Sequence, residues 1–268
     1  MSKENLLMDV NDLSVTFGAG ANTVEAVKNC SMTVHEGEPI GIVGESGSGK
    51  STLARVLAGL QQPSAGKVLY RGENVFTGNK SYKNGFRNQV QMVFQDPYGS
   101  LNPQLTGLSA VSEAVRIHKK VGSDEAEAIA LELLQQMGIS RLDALKKPRQ
   151  LSGGQRQRVS VARALSASPS VLLADEPTSA IDQSAQAQLL KLFQGLLGEG
   201  LAIVLVSHDL GVIRFLTKRV YVMKEGLFIE SGDTETVFND PQEEYTKLLL
   251  ASIPGELGKA ARAKLKKS

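Results

Sequence analysis

The stretch IGIVGESGSGKSTLARVL, residues 40–57, decides the fold class of this 268-residue chain. It opens with an apolar run typical of a buried strand, and we predict a helix from about residue 51 to residue 60. Between them, GESGSGKS fits the pattern G-x-x-x-x-G-K-[ST] at every fixed position. Glycines let the backbone aim several N–H groups at one anion, and the helix start adds its dipole. The stretch therefore predicts a phosphate-binding loop between a strand and a helix.

This loop supplies the first candidate site residues. Lys50 is placed to reach the β- and γ-phosphates of a nucleotide, the Ser51 hydroxyl suits Mg²⁺, and Thr52 suits the α-phosphate. The candidate nucleotide-binding residues of the loop are Gly44, Glu45, Ser46, Gly47, Ser48, Gly49, Lys50, Ser51 and Thr52.

A second candidate site follows the apolar run VLLA at residues 171–174. Asp175 comes at the carboxyl end of this predicted strand, where open α/β sheets place their ligands, and a nearby Mg²⁺ offsets the cost of burying its charge. Glu176 is then placed to polarise a water that attacks the γ-phosphorus. The alternative is an exposed acidic turn before Pro177, and the phosphate loop upstream favours the active-site interpretation.

The pattern along the chain predicts an α/β fold with a mostly parallel sheet. Residues 1–40 consist of strands, apolar strands then alternate with helices, and residues 96–150 carry helical periods without strand alternation. RVYVMKEGLFIESG, residues 219–232, predicts a hairpin that turns at Glu225 and Gly226.

LSGGQ at residues 151–155, together with the two motifs above, resembles the ATP-binding cassette family, and the resemblance extends from about residue 6 to residue 254. It implies a RecA-like P-loop NTPase core with a mixed sheet, an N-terminal antiparallel β region and an inserted helical subdomain at about 96–160. The cassette then occupies residues 1–250, followed by a basic tail at 251–268. In this family two cassettes close head to tail on two ATP molecules.

The resemblance also implies a role for each of several individual residues. Ser152 is a good helix N-cap, and Gly153 and Gly154 leave a bare backbone for the partner chain's nucleotide. The residues implied to contact that nucleotide are Ser152, Gly153, Gly154 and Gln155. The implied catalytic residues are Glu176, His208 and Gln95, and the implied Mg²⁺ ligands are Ser51, Gln95 and Asp175. Phe17 stands where the family keeps an aromatic ring against adenine.

Two further stretches narrow the resemblance. VFQDPYGSLNPQ at 93–104 and VFNDPQEEYTKLLLASIP at 237–254 resemble the oligopeptide, dipeptide and nickel importer subfamily. The chain has no cysteine after Tyr245 for an iron–sulfur cluster, so peptide and nickel-type cargo both stay open. The implied partners are two transmembrane permease subunits, a second cassette and, indirectly, an extracytoplasmic substrate-binding protein. The expected location is the cytoplasmic face of the membrane, as a peripheral subunit.

Composition agrees with this assignment. The net charge of +2 indicates no nucleic-acid partner, and Cys30, the single cysteine, suits a buried position. The longest apolar run is the six residues from Leu201, which is too short to span a bilayer. We therefore expect a chain that does not cross a membrane. The alternative function is a cassette ATPase without transport, acting on nucleic acid or within an enzyme complex.

Overall fold

The computed structural model describes residues 5–18, 20–179, 181–253 and 258, without the side chains of Ala21, Ser81 and Pro97. The basic tail predicted for 251–268 therefore lies largely outside the described residues. The strands of this described part are β1 (Leu6–Phe17), β2 (Val24–His35), β3 (Pro39–Val43), β4 (Ala65–Tyr70), β5 (Glu73–Asn74), β6 (Val90–Val93), β7 (Val171–Asp175), β8 (Ala202–Val206), β9 (Arg219–Lys224) and β10 (Leu227–Asp233). Its α-helices are α1 (Lys50–Leu57), α2 (Lys80–Gln89), α3 (Pro97–Ser100), α4 (Gly107–Lys119), α5 (Ser123–Gln136), α6 (Arg141–Ala144), α7 (Gly153–Leu165), α8 (Gln183–Gly198), α9 (Leu210–Leu216), α10 (Thr234–Asn239) and α11 (Glu244–Ala251).

The chain packs as two compact units. The first contains the residues up to Gly78 and those from Ala202 onward, and the second contains Asn79–Leu201. In the first unit, β2, β1, β4 and β5 form an antiparallel sheet in that order. The register of β1 against β2 shifts at several points, and Asp12 and Asn29 adopt positive φ angles within these strands. Such bulges let two 12-residue strands twist without losing their buried face.

The first unit also holds a mixed sheet that positions the phosphate loop. β3 pairs in parallel with both β8 and β9, and β10 closes the edge antiparallel to β9. Every residue of β3 and β8 is buried, as the continuous apolar runs predict for strands covered on both faces. The loop that follows β3 therefore starts from a fixed point at the carboxyl edge of this sheet.

The predicted hairpin is confirmed. β9 and β10 pair antiparallel on either side of Glu225 and Gly226, whose φ angles are 47° and 86°. Two consecutive left-handed residues are the signature of a type I′ turn, the turn that matches the twist of the flanking strands.

Helix α1 begins and ends earlier than its sequence pattern predicts. The sequence pattern predicts bounds of about 51 and 60, whereas the helix runs from Lys50 to Leu57. Gly59 takes a φ of 68°, its N–H donates to Val56 O, and the Leu60 N–H donates to Arg55 O. This pair of bonds is a Schellman motif, which ends the helix although its apolar pattern continues.

The second unit contains the helical stretch. β6 and β7 pair in parallel with Val93 opposite Ala174, and the helices α3 to α7 lie between them in sequence. Two alanines and one leucine of α5, and two valines each of α4 and α7, are buried: Ala126, Ala130, Leu134, Val111, Val115, Val159 and Val161. Within the described part of the chain, no helix combines the length and apolar character that crossing a bilayer requires.

Candidate active site

The phosphate loop after β3 is organised around one buried lysine. Lys50 is 6% exposed, and its ammonium donates to Gly44 O at 2.8 Å and to Glu45 O at 2.7 Å. Its distance to Ser48 Oγ is 3.4 Å. Lys50 thus occupies the carbonyl oxygens of Gly44 and Glu45. A phosphate cradle is built from backbone N–H groups, so bonding these two carbonyls to a lysine suits an anion site.

Two glycines of the loop are required by close backbone contacts. A Cβ on Gly44 would stand 2.1 Å from Met223 O, and a Cβ on Gly49 would stand 2.1 Å from Ala26 O. Their φ angles are 153° and 107°. Behind the loop, the Gly226 N–H donates to Ser48 O at 2.9 Å. The loop is therefore packed against β2 and the β9–β10 hairpin, and only glycine fits at these two positions.

His208 and Phe17, the other candidates of the first unit, are both exposed. His208 follows β8 by two residues, and the Ser207 N–H donates to Ile42 O at 3.2 Å, which fixes the end of β8 beside the end of β3. His208 thus lies at the same sheet edge as the phosphate loop. Phe17 ends β1 opposite Val24 and is 43% exposed, so its ring is not part of the core.

In the second unit, the two acidic candidates lie at the end of β7. Asp175 is its last residue and is 3% exposed, and Glu176 follows it at 8% exposed. Glu176 has a φ of 48°, a left-handed conformation that costs a non-glycine residue roughly 1–2 kcal/mol. Ser179 holds this turn, because its N–H and its hydroxyl both donate to Glu176 O, at 3.2 and 3.0 Å. The surrounding turn thus maintains an unfavourable backbone at a candidate catalytic position, as functional sites often do.

Gln95 lies at the same edge of the β6–β7 pair. It follows β6 by two residues, and the parallel register of Val93 against Ala174 places it beside the end of β7. The structure therefore brings Gln95, Asp175 and Glu176 to one end of the two strands, as their positions after predicted strands suggested.

The LSGGQ stretch forms a capped helix start. Ser152 Oγ accepts the Gln155 N–H at 3.2 Å, and Gln155 Oε1 accepts the Ser152 N–H at 2.9 Å, which makes a capping box at the beginning of α7. Gly154 is buried, and a Cβ there would stand 2.6 Å from Ala185 Cβ on α8. Gly154 thus has a packing role inside the chain, and Ser152 and Gly153 are the more accessible members of the turn.

A family model described as ABC transporter matches residues 27–179. The curated proteins that this chain resembles include the putative oligopeptide transport ATP-binding protein YkfD of Bacillus subtilis (strain 168), 42% identical over 92% of this chain and 76% of that protein. The chain belongs to the ABC transporter family.

Other relatives agree with that assignment. The oligopeptide transport ATP-binding protein OppF of Lactococcus lactis subsp. lactis (strain IL1403) is 41% identical over 89% of this chain and 75% of its own length. Among solved structures, the dimeric, post-hydrolysis ATP-binding cassette MJ0796 bound to ADP and Pi superposes with a TM-score of 0.79 at 31% identity, over 85% of this chain and 99% of that one. The protein described here is accordingly an ATP-binding cassette with ATPase activity.

Tyr98 lies within the VFQDPYGSLNPQ stretch, whose sequence does not indicate the contacts that its side chain makes. Arg149 Nε donates to the Tyr98 hydroxyl at 3.0 Å, and the Arg156 guanidinium carbon lies 5.8 Å from the centroid of the Tyr98 ring. Arg156 also donates to Leu151 O, the residue before Ser152. These contacts join the segment after Gln95 to the start of α7. They link residues some fifty positions apart, so no local sequence pattern indicates them.

Proposed function

We propose that this cassette is the ATP-hydrolysing subunit of an importer for oligopeptides that acts on separate transmembrane permease subunits. The observation that carries the proposal is the match of about nine tenths of the chain to proteins named as oligopeptide transport ATP-binding proteins. The stretches 93–104 and 237–254 resemble the same importer subfamily and support the proposal. Nickel or metal chelates are the competing cargo.

In this function the loop of residues 44–52 holds the phosphates of ATP. Lys50, already bonded to the Gly44 and Glu45 carbonyls, supplies a positive charge beside the phosphate chain. The Ser51 and Thr52 side chains at the start of α1 contact the phosphates or their metal. Phe17 offers an exposed aromatic face for adenine at the end of β1.

The chemistry of the three proposed ligands suits a magnesium ion. Ser51, Gln95 and Asp175 offer hydroxyl, amide and carboxylate oxygens, the hard donors that Mg²⁺ prefers, and the single buried carboxylate leaves coordination positions for phosphate oxygens and water. When bound, Mg²⁺ neutralises charge on the β- and γ-phosphates. Asp175, buried at the end of β7, is the residue best placed to hold it.

Glu176 acts as the general base in this proposal. Its carboxylate accepts a proton from the water whose oxygen forms a bond to the γ-phosphorus, while the bond from phosphorus to the leaving oxygen of ADP breaks. His208 and Gln95 orient the γ-phosphate and the attacking water. The left-handed backbone at Glu176, beside its bond from Ser179, departs from the extended conformation that a continuing strand would have.

Each complete site is shared between two cassettes. We assign the Ser152–Gln155 turn to the ATP that lies on the phosphate loop of a second cassette, which is another copy of this chain or a related one. The α7 N-terminus points N–H groups and a positive dipole end at that phosphate. ATP then joins the two cassettes, and hydrolysis separates them.

The remaining partners follow from the importer assignment. Two permease subunits receive the conformational change through the segment after Gln95, at the cytoplasmic face of the membrane, and an extracytoplasmic substrate-binding protein delivers the cargo to them. We propose residues 1–250 as the cassette, with a helical subdomain at about 96–160.

The test is transport by a reconstituted complex. The cassette is co-purified with the permeases encoded beside it, placed in liposomes with the accompanying substrate-binding protein, and supplied with ATP and a radiolabelled oligopeptide. We expect ATP-dependent uptake of the peptide that is lost with Glu176→Gln. Uptake of radiolabelled nickel without peptide uptake would contradict the oligopeptide assignment.

A further inference from the structure

The last described helix, α11, contacts the phosphate loop directly. The Tyr245 hydroxyl oxygen accepts a hydrogen bond from the Glu45 backbone N–H at 3.1 Å, across 200 positions of sequence. Glu45 is the second residue of the loop, immediately after Gly44. A residue from the C-terminal part of the chain thus bonds to the backbone that is proposed to hold ATP.

This contact acts on a peptide group that is held from its other side as well. The Gly44 carbonyl and the Glu45 N–H belong to one planar peptide unit. Lys50 donates to that carbonyl at 2.8 Å, while Tyr245 accepts from that N–H. Because the peptide unit rotates as a whole, the two bonds together fix its orientation. Loss of the tyrosine hydroxyl would remove one of these two bonds and leave the other to Lys50, the residue that must also serve the phosphates.

The Tyr245 ring is itself held in place. The Lys224 ammonium lies 5.0 Å from its centroid, at the end of β9. The Glu230 carboxylate on β10 accepts the N–H groups of Gln242 at 2.8 Å and Glu243 at 3.2 Å, which fastens the start of α11 to the same hairpin. Burial raises the pKa of the Tyr245 phenol, so the hydroxyl stays protonated and neutral at physiological pH. The β9–β10 hairpin therefore fixes the position from which Tyr245 contacts the loop.

We propose that Tyr245 is a positioning residue of the ATP-binding site: by fixing the Gly44–Glu45 peptide, it keeps the empty loop in the shape that binds phosphate. This inference rests on the ATP-binding role proposed for residues 44–52. The helix α11 thereby sets the affinity of the cassette for ATP, although it supplies no group that touches the nucleotide.

The mechanism predicts a specific pattern of kinetic change. Without the hydroxyl, ATP must order the loop as it binds, so affinity falls. Once phosphates occupy the loop, they restore its shape, so the rate at saturating ATP is kept. For one neutral hydrogen bond we expect the Kd and KM for ATP to rise about 2- to 10-fold in Tyr245→Phe. A role in general stability would lower the melting temperature and leave the Kd unchanged.

The experiment uses the purified full chain and ATP. Kd is measured by titration calorimetry, KM and kcat by phosphate release, and exchange of the Glu45 amide hydrogen by NMR. The expected result for Tyr245→Phe is a raised Kd and KM, a kcat close to wild type, and faster exchange at Glu45. The matched control is Leu248→Ala on the exposed face of the same helix, which should leave all of these values unchanged.

A wild-type Kd and wild-type Glu45 exchange in Tyr245→Phe would overturn the inference, as would a fall in kcat with no change in KM. Lys50→Ala separates this outcome from failure of the proposed site. If Lys50→Ala abolishes ATP binding and Tyr245→Phe does not change it, the loop binds ATP but Tyr245 does not position it. If Lys50→Ala binds ATP with wild-type affinity, the site itself is misassigned.

Discussion

Ser152 and Gln155 exchange two hydrogen bonds at the start of α7, one from each backbone N–H to the other's side chain, at 2.9 and 3.2 Å. The Ser152 hydroxyl serves there as an acceptor. A serine hydroxyl that accepts a bond still has its own proton to donate. The capping box therefore fixes Ser152 with a hydroxyl proton that it can still donate, which is what the proposed contact with the ATP on a second cassette requires.

Replacement of Ser152 by alanine should separate capping from catalysis. Loss of the cap should lower the free energy of unfolding by about 0.5–2 kcal/mol. Loss of a charge-assisted bond to the γ-phosphate should lower ATP turnover further, by about 10- to 100-fold. Thr106→Ala is the control, because Thr106 caps α4 in the same way through the Ser109 N–H. Equal turnover losses in the two variants, measured by phosphate release, would contradict a direct role for Ser152.

The phosphate loop should not tolerate a side chain at Gly49. The Cβ of Gly49→Ala would meet Ala26 O, and its φ of 107° disfavours alanine as well. We expect the free energy of unfolding to fall by about 2–4 kcal/mol, together with a loss of ATP binding. Gly72→Ala shares the positive φ but meets no atom within 4 Å, so it should cost only about 1–2 kcal/mol and leave ATP binding intact. Urea denaturation and ATP titration measure the two effects. An unchanged free energy of unfolding with normal ATP affinity in Gly49→Ala would contradict the packing argument.

Tyr98 should affect coupling to the permease more than hydrolysis itself. Tyr98→Ala removes the acceptor of Arg149 and the ring beside Arg156, and so loosens the segment after Gln95 from the start of α7. We expect the ATPase rate of the reconstituted importer to fall, while the isolated cassette stays within about twofold of wild type, since Tyr98 is partly exposed. Tyr98→Phe keeps the ring and should show a smaller effect. Parallel assays of the two preparations provide the measurement, and equal losses in both would count against a coupling role.

Glu176→Gln should stop hydrolysis and retain binding. The amide keeps the shape of the side chain and cannot accept the proton of the attacking water, so turnover should fall about 10²- to 10⁴-fold. ATP should bind with near wild-type affinity and, because it is not consumed, should trap a dimer of cassettes visible by light scattering. The monomer in the presence of ADP is the control state. Undiminished phosphate release would remove Glu176 from the role of general base.

The sequence predicts the elements whose signals are local. Strands β3, β7 and β8 are buried on both faces, so their sequences are continuously apolar. The phosphate loop and the Glu225–Gly226 turn need left-handed φ angles, which favour glycine, so the sequence shows them as well. Sequence periodicity missed the end of α1, since a Schellman motif at Gly59 overrides an apolar pattern that continues beyond it.

Contacts between distant segments could not be predicted in this way. Position 154 requires glycine because Ala185 packs against it. The LSGGQ motif alone does not indicate this contact. Tyr245 appeared in the sequence only as part of a C-terminal pattern, and its bond to Glu45 depends on the hairpin that holds α11. Such bonds are set by tertiary packing, which composition and spacing do not encode.

The central claim, that two cassettes complete each site, is tested most directly by mixing two damaged chains. Ser152→Ala keeps Lys50, and Lys50→Ala keeps Ser152, so a dimer of one copy of each holds one intact shared site and one doubly damaged site. After equal mixing and re-equilibration, phosphate release should rise well above the mean of the two separate variants, to about a quarter of the wild-type rate. A mixture that gives only that mean would contradict a site shared between two copies of this chain.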